Sequence, residues 1–381
     1  MTGEKKSVVV VDDSPVVRTL LKHIIESCPE FTVVGEAGDG LEAIETVKRL
    51  KPAVVTMDVQ MPRMSGPEAI KAIMKECPTP ILLCSVMAVE GAPVVLEALQ
   101  AGAFDFVTKP RNVLDSTNDL GIDLIDKLRA ALSANRESLA TEDLGRALVA
   151  HATPDVSQTT PPPAAAPTAE SPAPPAAQAV SGTFEAVIIG ASTGGPKTLL
   201  AVLPLLPAGF PATVVVALQD TPPPIIKLLR DQFRKLCKLD CEIVQDGQVA
   251  GPGTIWLLSG EAHAMLIRGA EAQPRFKLLD RHAAGEQVPS INGLMSSAAL
   301  TYGSHCLGVL LTGLGKDGAL GLKKIRQGGG RTIAEDRSTA VLFEKPNAAI
   351  TIQAVDKVLP SFKITEGIVQ FMGLPFPTPA K

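Results

Sequence analysis

Aromatic residues are scarce in this chain. Its 381 residues include one tryptophan, one tyrosine and eleven phenylalanines. The cores must therefore be built from Val, Leu, Ile, Ala and Met, which suits an α/β design with buried, β-branched strands. A dominant charge sign is also lacking. The formal net charge of −4 argues against a nucleic-acid binder whose affinity rests on phosphate neutralisation. No apolar run approaches about 20 residues, and no leader pattern precedes the first strand-like run. A cytoplasmic protein without membrane insertion is expected. None of the six cysteines forms a C-x-x-C pair, and Cys237/Cys241 has no second pair to complete a zinc site. Free thiols are expected. Histidine is limited to His23, His151, His263, His282 and His305.

What is present divides into segments. Apolar residues make up 45% of the chain and charged residues 20%, enough to bury two cores. Residues 5–125 alternate short apolar runs (Val8–Val11, Thr32–Glu36, Ala53–Met57, Ile81–Cys84, Phe104–Val107) with stretches of helical period (Pro15–Ser27, Gly40–Leu50, Gly66–Glu76, Val94–Gln100). That is the pattern of a doubly wound, five-stranded parallel sheet. Residues 126–182 hold the end of a helix spanning Leu120–Leu148 and then a Pro/Ala-rich stretch that favours extended conformations and acts as a tether. Residues 183–365 form a second α/β domain with a mostly parallel sheet, with strands expected at Ala186–Ile189, Thr213–Leu218, Thr254–Leu258, Phe276–Leu279, Cys306–Leu311 and Thr332–Glu335. Residues 366–381 are expected to be a tail.

In the first segment the acids stand at strand ends. Asp12 and Asp13 follow the first strand, Asp58 the third, Ser85 the fourth and Lys109 the fifth. Such ends converge in a doubly wound sheet. Three carboxylates and a lysine suit a hard divalent cation, for which Mg²⁺ is the natural choice. Asp58 is then the nucleophile that becomes an aspartyl phosphate, with Ser85 and Lys109 bonding its oxygens. Asp58-Val-Gln-Met-Pro62 and Lys109-Pro110 surround these residues. Over roughly residues 7–125 the segment resembles the response-regulator receiver family, in which Asp12, Asp13, Asp58, Ser85 and Lys109 match functional positions. Phe106 matches an aromatic whose packing reports phosphorylation. Ser65 stands where the family usually has Asp.

In the second domain, Gly190-Ala-Ser-Thr-Gly194 fits G-x-S-x-G, follows a strand and opens a helix. That turn lifts the Ser192 hydroxyl into a cleft. The N–H groups of the helix start, around Thr193 and Gly194, can stabilise an oxyanion. Asp317, in Thr312-Gly-Leu-Gly-Lys-Asp-Gly318, follows another strand and can orient a base. With Gly285-Glu-Gln-Val-Pro-Ser-Ile-Asn292, Gly329-Gly-Arg-Thr-Ile-Ala334 and Phe343-Glu-Lys-Pro-Asn-Ala-Ala-Ile350, these motifs resemble the CheB-type chemotaxis protein-glutamate methylesterases. A receiver, a linker and this domain, in that order, form the family's architecture.

The resemblance implies a Ser–His–Asp mechanism that hydrolyses methyl esters on receptor glutamates and, in many members, deamidates glutamines. Ser192 and Asp317 carry over, and Leu314 takes the place of a methionine near the oxyanion site. Asn292 stands where an Asp is common. The histidine does not carry over. The local sequence is Ala217-Leu-Gln-Asp-Thr-Pro222, so either Asp220 or Gln219 takes that place. A glutamine cannot act as a base, and an aspartate needs a strongly raised pKa to serve near neutral pH. His282 lies in an expected loop, and His305 begins the strand leading to Asp317. Two readings follow. One is a phosphorylation-regulated methylesterase with a substituted base. The other is a catalytically impaired member acting as a phosphoryl sink or a receptor- or kinase-binding scaffold.

The implied partners are a sensor histidine kinase and the cytoplasmic helices of methyl-accepting chemoreceptors, with Mg²⁺ in the receiver and no cofactor in the esterase domain. The family regulates by steric cover, the unphosphorylated receiver lying over the cleft. A long tether lowers the effective concentration of the docked receiver, so autoinhibition should be weaker than a short linker would give. Shortening the tether should strengthen receiver–output association. Unchanged association counts against this reading.

Overall fold

The computed structural model describes residues 4–86, 92–109, 117–134, 184–269, 273–280 and 287–375. Most of the expected Leu120–Leu148 helix beyond residue 134, the tether, His151, His282, Gly285 and Glu286 lie outside the described residues.

The first unit runs β1 (Lys6–Val11), α1 (Pro15–Ser27), β2 (Phe31–Ala37), α2 (Gly40–Leu50), β3 (Val54–Met57), α3 (Gly66–Glu76), β4 (Ile81–Val86), α4 (Ala92–Gln100), β5 (Asp105–Lys109) and α5 (Thr117–Leu132). Its five strands are parallel in the order β2-β1-β3-β4-β5. Val8 to Val11 of β1 are fully buried, as expected of a central strand covered by helices on both faces. The helix starts are legible in their caps. The Asp39 carboxylate accepts the N–H groups of Leu41 and Glu42 at 2.9 and 3.1 Å. Ser65 finds a local use: Glu68 accepts both its N–H, at 3.0 Å, and its hydroxyl, at 2.7 Å.

The second unit contains β6 (Ala186–Ala191), α6 (Gly195–Val202), β7 (Thr213–Leu218), α7 (Pro223–Leu236), β8 (Asp240–Ile243), β9 (Thr254–Leu258), β10 (Ala262–Arg268), β11 (Pro274–Asp280), α8 (Ile291–Tyr302), β12 (Cys306–Leu310), α9 (Ala319–Gln327), β13 (Arg331–Glu335), α10 (Glu344–Thr351), β14 (Lys357–Leu359) and α11 (Ser361–Phe371). Seven strands form a parallel sheet in the order β14-β13-β12-β6-β7-β9-β8, and β10 and β11 pair as a separate antiparallel ribbon. Strands β8 and β14 escape a sequence reading because they are short edge strands. Helix α11 crosses the expected boundary at residue 365 and buries Ile368 and Val369.

The two units touch. Helix α4 packs on α6 and α7, and one continuous apolar cluster runs through both. Among the described residues no helix is long and apolar enough to cross a membrane, and all six cysteines are free.

The loop after β12 is fixed by Thr312. Its buried hydroxyl donates to the Thr193 carbonyl at 3.0 Å and accepts the Leu342 N–H at 2.8 Å. Its own N–H donates to the buried Glu335 carboxylate at 2.8 Å. Thr312→Val keeps the shape and strands two buried backbone groups, so it should cost about 1–3 kcal/mol. Urea unfolding checks this, and an unchanged midpoint refutes it.

Candidate functional site

Each large sheet reverses its strand order beside its first strand, at β1/β3 and at β6/β12. Such switch points leave a crevice at the carboxyl ends of the strands. In the first sheet, Asp12, Asp13 and Asp58 each bring one carboxylate oxygen within 4.8 Å of the others. Lys109 bonds Asp12 and stands 2.9 Å from Asp58 Oδ2. Asp58 Oδ1 accepts the Val59 N–H at 2.6 Å, and Asp12 Oδ1 accepts the Ser14 N–H at 3.0 Å. Burial raises the Asp12 carboxyl above its ordinary range, Lys109 opposes the rise and Asp58 adds to it. Burial works against the Lys109 ammonium, but the carboxylates of Asp58 and Asp12 hold its pKa up. One ammonium thus faces three carboxylates. That hard-oxygen donor set, with negative charge left over, fits a divalent cation such as Mg²⁺. Ser85, in β4, and Phe106, in β5, are buried beside it.

In the second sheet Ser192 follows β6, Gln219 follows β7, and Thr312 to Gly318 follow β12. The Ser192 hydroxyl accepts the Leu314 N–H at 3.1 Å. Two glycines are required here. Gly194 has φ +77°, with Val341 filling the space of a side chain, and a Cβ on Gly313 would run into Ser192 Oγ. Asp317 Oδ2 accepts the Ile291 N–H at 2.7 Å, and Oδ1 accepts the Asn292 N–H at 3.0 Å, so the carboxylate sits on the N-terminus of α8. Asn292 works in return: its Oδ1 accepts the N–H groups of Gly318 and Gly321 at 3.0 and 2.7 Å, at the start of α9.

The two candidates for the base position separate. Gln219 is buried, and its Nε2 donates to Asp317 Oδ2 at 2.7 Å and to the Pro289 carbonyl at 3.0 Å. Asp220 takes a left-handed turn, φ +55°, which sends its side chain elsewhere; its carboxylate accepts from Gln287 Nε2 at 3.1 Å. Burial raises the Asp220 carboxyl, against the pull of Lys127 and Lys345.

The group bonded to Gln219 from the other side is Lys345, the first-turn lysine of α10. Its Nζ donates to Gln219 Oε1 at 2.6 Å and approaches the Asp317 carbonyl at 3.4 Å. Lys345 is fully buried, and burial pulls its ammonium down to about 8, although Asp317, Asp220 and Glu344 favour the charge. Sequence reasoning missed this residue. No spacing distinguishes a buried lysine from a solvated one at the start of an amphipathic helix. Of the histidines, His263 is engaged structurally, its Nδ1 accepting the Ser290 N–H at 3.0 Å, and His305 precedes β12 at the opposite end from Asp317.

A cavity of about 290 Å³ lies between the two units. Phe106, Asp105, Asp123 and Lys127 line one side; Ser192, Gln219, Asp220 and Leu314 line the other. Lys127 donates to the Phe106 carbonyl at 2.6 Å and lies 5.1 Å from the centre of its ring. Its ammonium also stands 3.8 Å from Asp105 and 3.5 Å from Asp123. Burial works against this charge, yet Asp105, Asp123 and Asp220 hold its pKa above the ordinary range.

The CheB methylesterase family model matches residues 187–368, and the response regulator receiver domain model matches residues 8–117. A protein-glutamate methylesterase/protein-glutamine glutaminase of Thermotoga maritima is 37% identical over 374 residues, covering 98% of this chain and 100% of that protein. One from Pyrococcus abyssi is 36% identical over 372 residues, covering 97% and 94%. The crystal structure of the Thermotoga maritima CheB methylesterase catalytic domain aligns at a TM-score of 0.47 with 34% identity, over 49% of this chain and 98% of that one.

Because the folded pKa of Asp220 is raised, the folded protein holds this proton more tightly than the unfolded chain. Its contribution to stability is therefore lost as pH rises through that raised value. Asp220→Asn removes the effect. The variant should be the more stable protein at neutral pH, and the difference should shrink on acidification. Urea midpoints between pH 5 and 8 check this; a pH-independent or reversed difference refutes it.

Proposed function

Since the chain belongs to the CheB-type family of response-regulator methylesterases, we propose that it removes methyl groups from glutamate side chains of chemoreceptors under control of phosphorylation at Asp58. Ser192 is the nucleophile. The observation that carries the reading is its hydroxyl at the switch point of the second sheet, held by the Leu314 N–H beside the loop that Asp317 fixes. Attack on the ester carbonyl leaves an oxyanion, for which the N–H groups of Leu314 and of the α6 start around Thr193 and Gly194 are the donors. Glutamine deamidation is the same acyl transfer with ammonia as the leaving group.

In the receiver, Asp12, Asp13 and Asp58 would hold Mg²⁺, which supplies charge neutralisation when bound. Lys109 and Ser85 then orient the phosphoryl oxygens on Asp58. A sensor histidine kinase is the donor, and the setting is the cytoplasm. We divide the chain into a receiver that ends with α5 and an output domain that starts near residue 184. Regulation runs through the shared cavity. Lys127 is bonded to the carbonyl of Phe106 and faces Asp220 across the cleft. A displacement carried along β5 from Lys109 to Asp105 and Phe106 would disturb the charge network that holds the receiver over Ser192.

One observation favours a second reading, a non-catalytic scaffold or phosphoryl sink: the group resting on Asp317 is an amide, which cannot take a proton. Methanol release from methylated receptor, with and without a phosphodonor, separates the two. Ser192→Ala should lower release by about 10³-fold or more, and Asp58→Asn should abolish acid-labile phosphate and its stimulation of release. Phosphate uptake with no methanol release establishes the scaffold; labelling retained in Asp58→Asn removes that residue from the scheme.

A further inference from the structure

We propose that Lys345 is the general base for Ser192, a lysine in the place of the absent imidazole. The inference rests on the esterase reading and adds the group that reading lacks. The geometry carries it. Gly313 leaves a gap no larger than a methyl group. Ser192 Oγ bounds that gap on one side, and Lys345 Cδ and Cε bound it on the other, each 2.7 Å from where a Cβ would sit. The hydroxyl and the last methylene of the lysine thus line one small space. Nζ now rests on Gln219 Oε1, and rotation about Cδ–Cε is the movement that would carry it toward Ser192 Oγ.

A lysine is useful as a base only when it is neutral, and three features favour that here. It is fully buried. It has no ion-pair partner among the described residues; its bonds go to the neutral oxygen of Gln219 and a backbone carbonyl. The charged groups that face it are Asp317 in the loop before α9, Asp220 after β7 and Glu344 beside it on α10. All three favour the ammonium, and burial outweighs them, leaving a pKa of about 8. At neutral pH roughly a tenth of the molecules then hold the free amine, a working fraction for a general base. Gln219 is a positioning residue, since its amide ties Lys345 to Asp317 as the aspartate of a triad ties an imidazole.

The proton count closes. As Ser192 Oγ bonds to the ester carbon, its proton passes to Lys345 Nζ. The tetrahedral species expels methoxide, which leaves as methanol with that proton. Water then attacks the acyl carbon and gives its proton to Nζ. The C–Oγ bond breaks, Ser192 recovers the proton, and the acid product ionises to glutamate.

The test uses the full chain with Mg²⁺ and acetyl phosphate. A fluorophosphonate probe reacts with the activated serine whatever the receptor substrate, and mass spectrometry locates the label. The labelling rate of Ser192 should rise with pH, with half-maximum near 8. Lys345→Met should slow it by about 10²–10⁴-fold and remove the limb. Lys345→Arg keeps the charge but cannot release its proton, and should be equally slow. Asp220→Asn removes a carboxylate that favours the ammonium, so the limb should persist at lower pH. The proposal is overturned if wild type shows no limb between pH 7 and 9, a result that needs no variant to fold. It is also overturned if either lysine variant labels at the wild-type rate or if Asp220→Asn erases the limb. Normal lysine-dependent labelling without methanol release from receptor would instead remove the receptor substrate and leave the base in place.

Discussion

The side-chain amide of Gln219 is the joint on which the second site depends. It spends both polar ends at once. Its nitrogen donates to Asp317 and to the Pro289 carbonyl, and its oxygen accepts from Lys345. Asp317 in turn holds the first two N–H groups of α8, and Asn292 of that helix holds the start of α9. If the amide were lost, Asp317 would keep the Ile291 and Asn292 N–H groups, but the fully buried Lys345 ammonium would lose its side-chain acceptor, at a cost of about 1–3 kcal/mol. The position of the loop carrying Leu314 against Ser192 therefore follows from one neutral residue. It tolerates a charged group on each side because it is neutral and both donates and accepts.

The switch point of the second sheet meets the start of β5 and the face of α5 through the cavity between the units. Phe106 of the receiver and Ser192 of the output domain line the same cavity. Lys127 is the element common to both sides. It is bonded to the backbone of β5, it is paired with Asp105 and Asp123, and Asp220 of the output domain adds to its field. Charges this close together at a partly buried interface interact appreciably. A shift of β5 that moves Asp105 alters the balance for all of them, which is the leverage the proposed phosphorylation at Asp58 would need over the interface.

The receiver was largely legible in the sequence. Helices α1, α2 and α3 begin and end where Pro, Gly and apolar period placed them, and the five residues expected to form a phosphoryl site stand at or near strand ends. The inner parallel strands of the second domain, β6, β7, β9, β12 and β13, were legible as continuous buried runs, whereas the edge strands β8 and β14 were not. Ser192 and Asp317 were found through glycine-rich turns that only a close backbone approach requires. The choice between Gln219 and Asp220 was not legible, because it turns on a left-handed backbone at Asp220, and aspartate adopts that conformation without announcing it. Lys345 was invisible for a different reason. Sequence period assigns a lysine to solvent, and its burial is created by Gly313 and Gln219, residues that are distant in the chain.

The source of each group's burial decides what survives when the receiver departs. Asp220 already reaches solvent at the edge of the cavity, where Lys127 and Lys345 pull against the rise of its carboxyl, so undocking removes the Lys127 side of that balance. Lys345 is fully buried, and the groups that bound and bond it, Gly313, Gln219 and the Asp317 carbonyl, belong to its own domain. Its depressed pKa therefore persists in the open state. Asp220 favours the ammonium in the docked state, and solvent screens its charge further once the cleft is open. Opening exposes the serine while leaving its base dehydrated and ready. A lysine suits such a design better than a surface imidazole would, because its basicity is set by enclosure within one domain rather than by the interface that regulation must break.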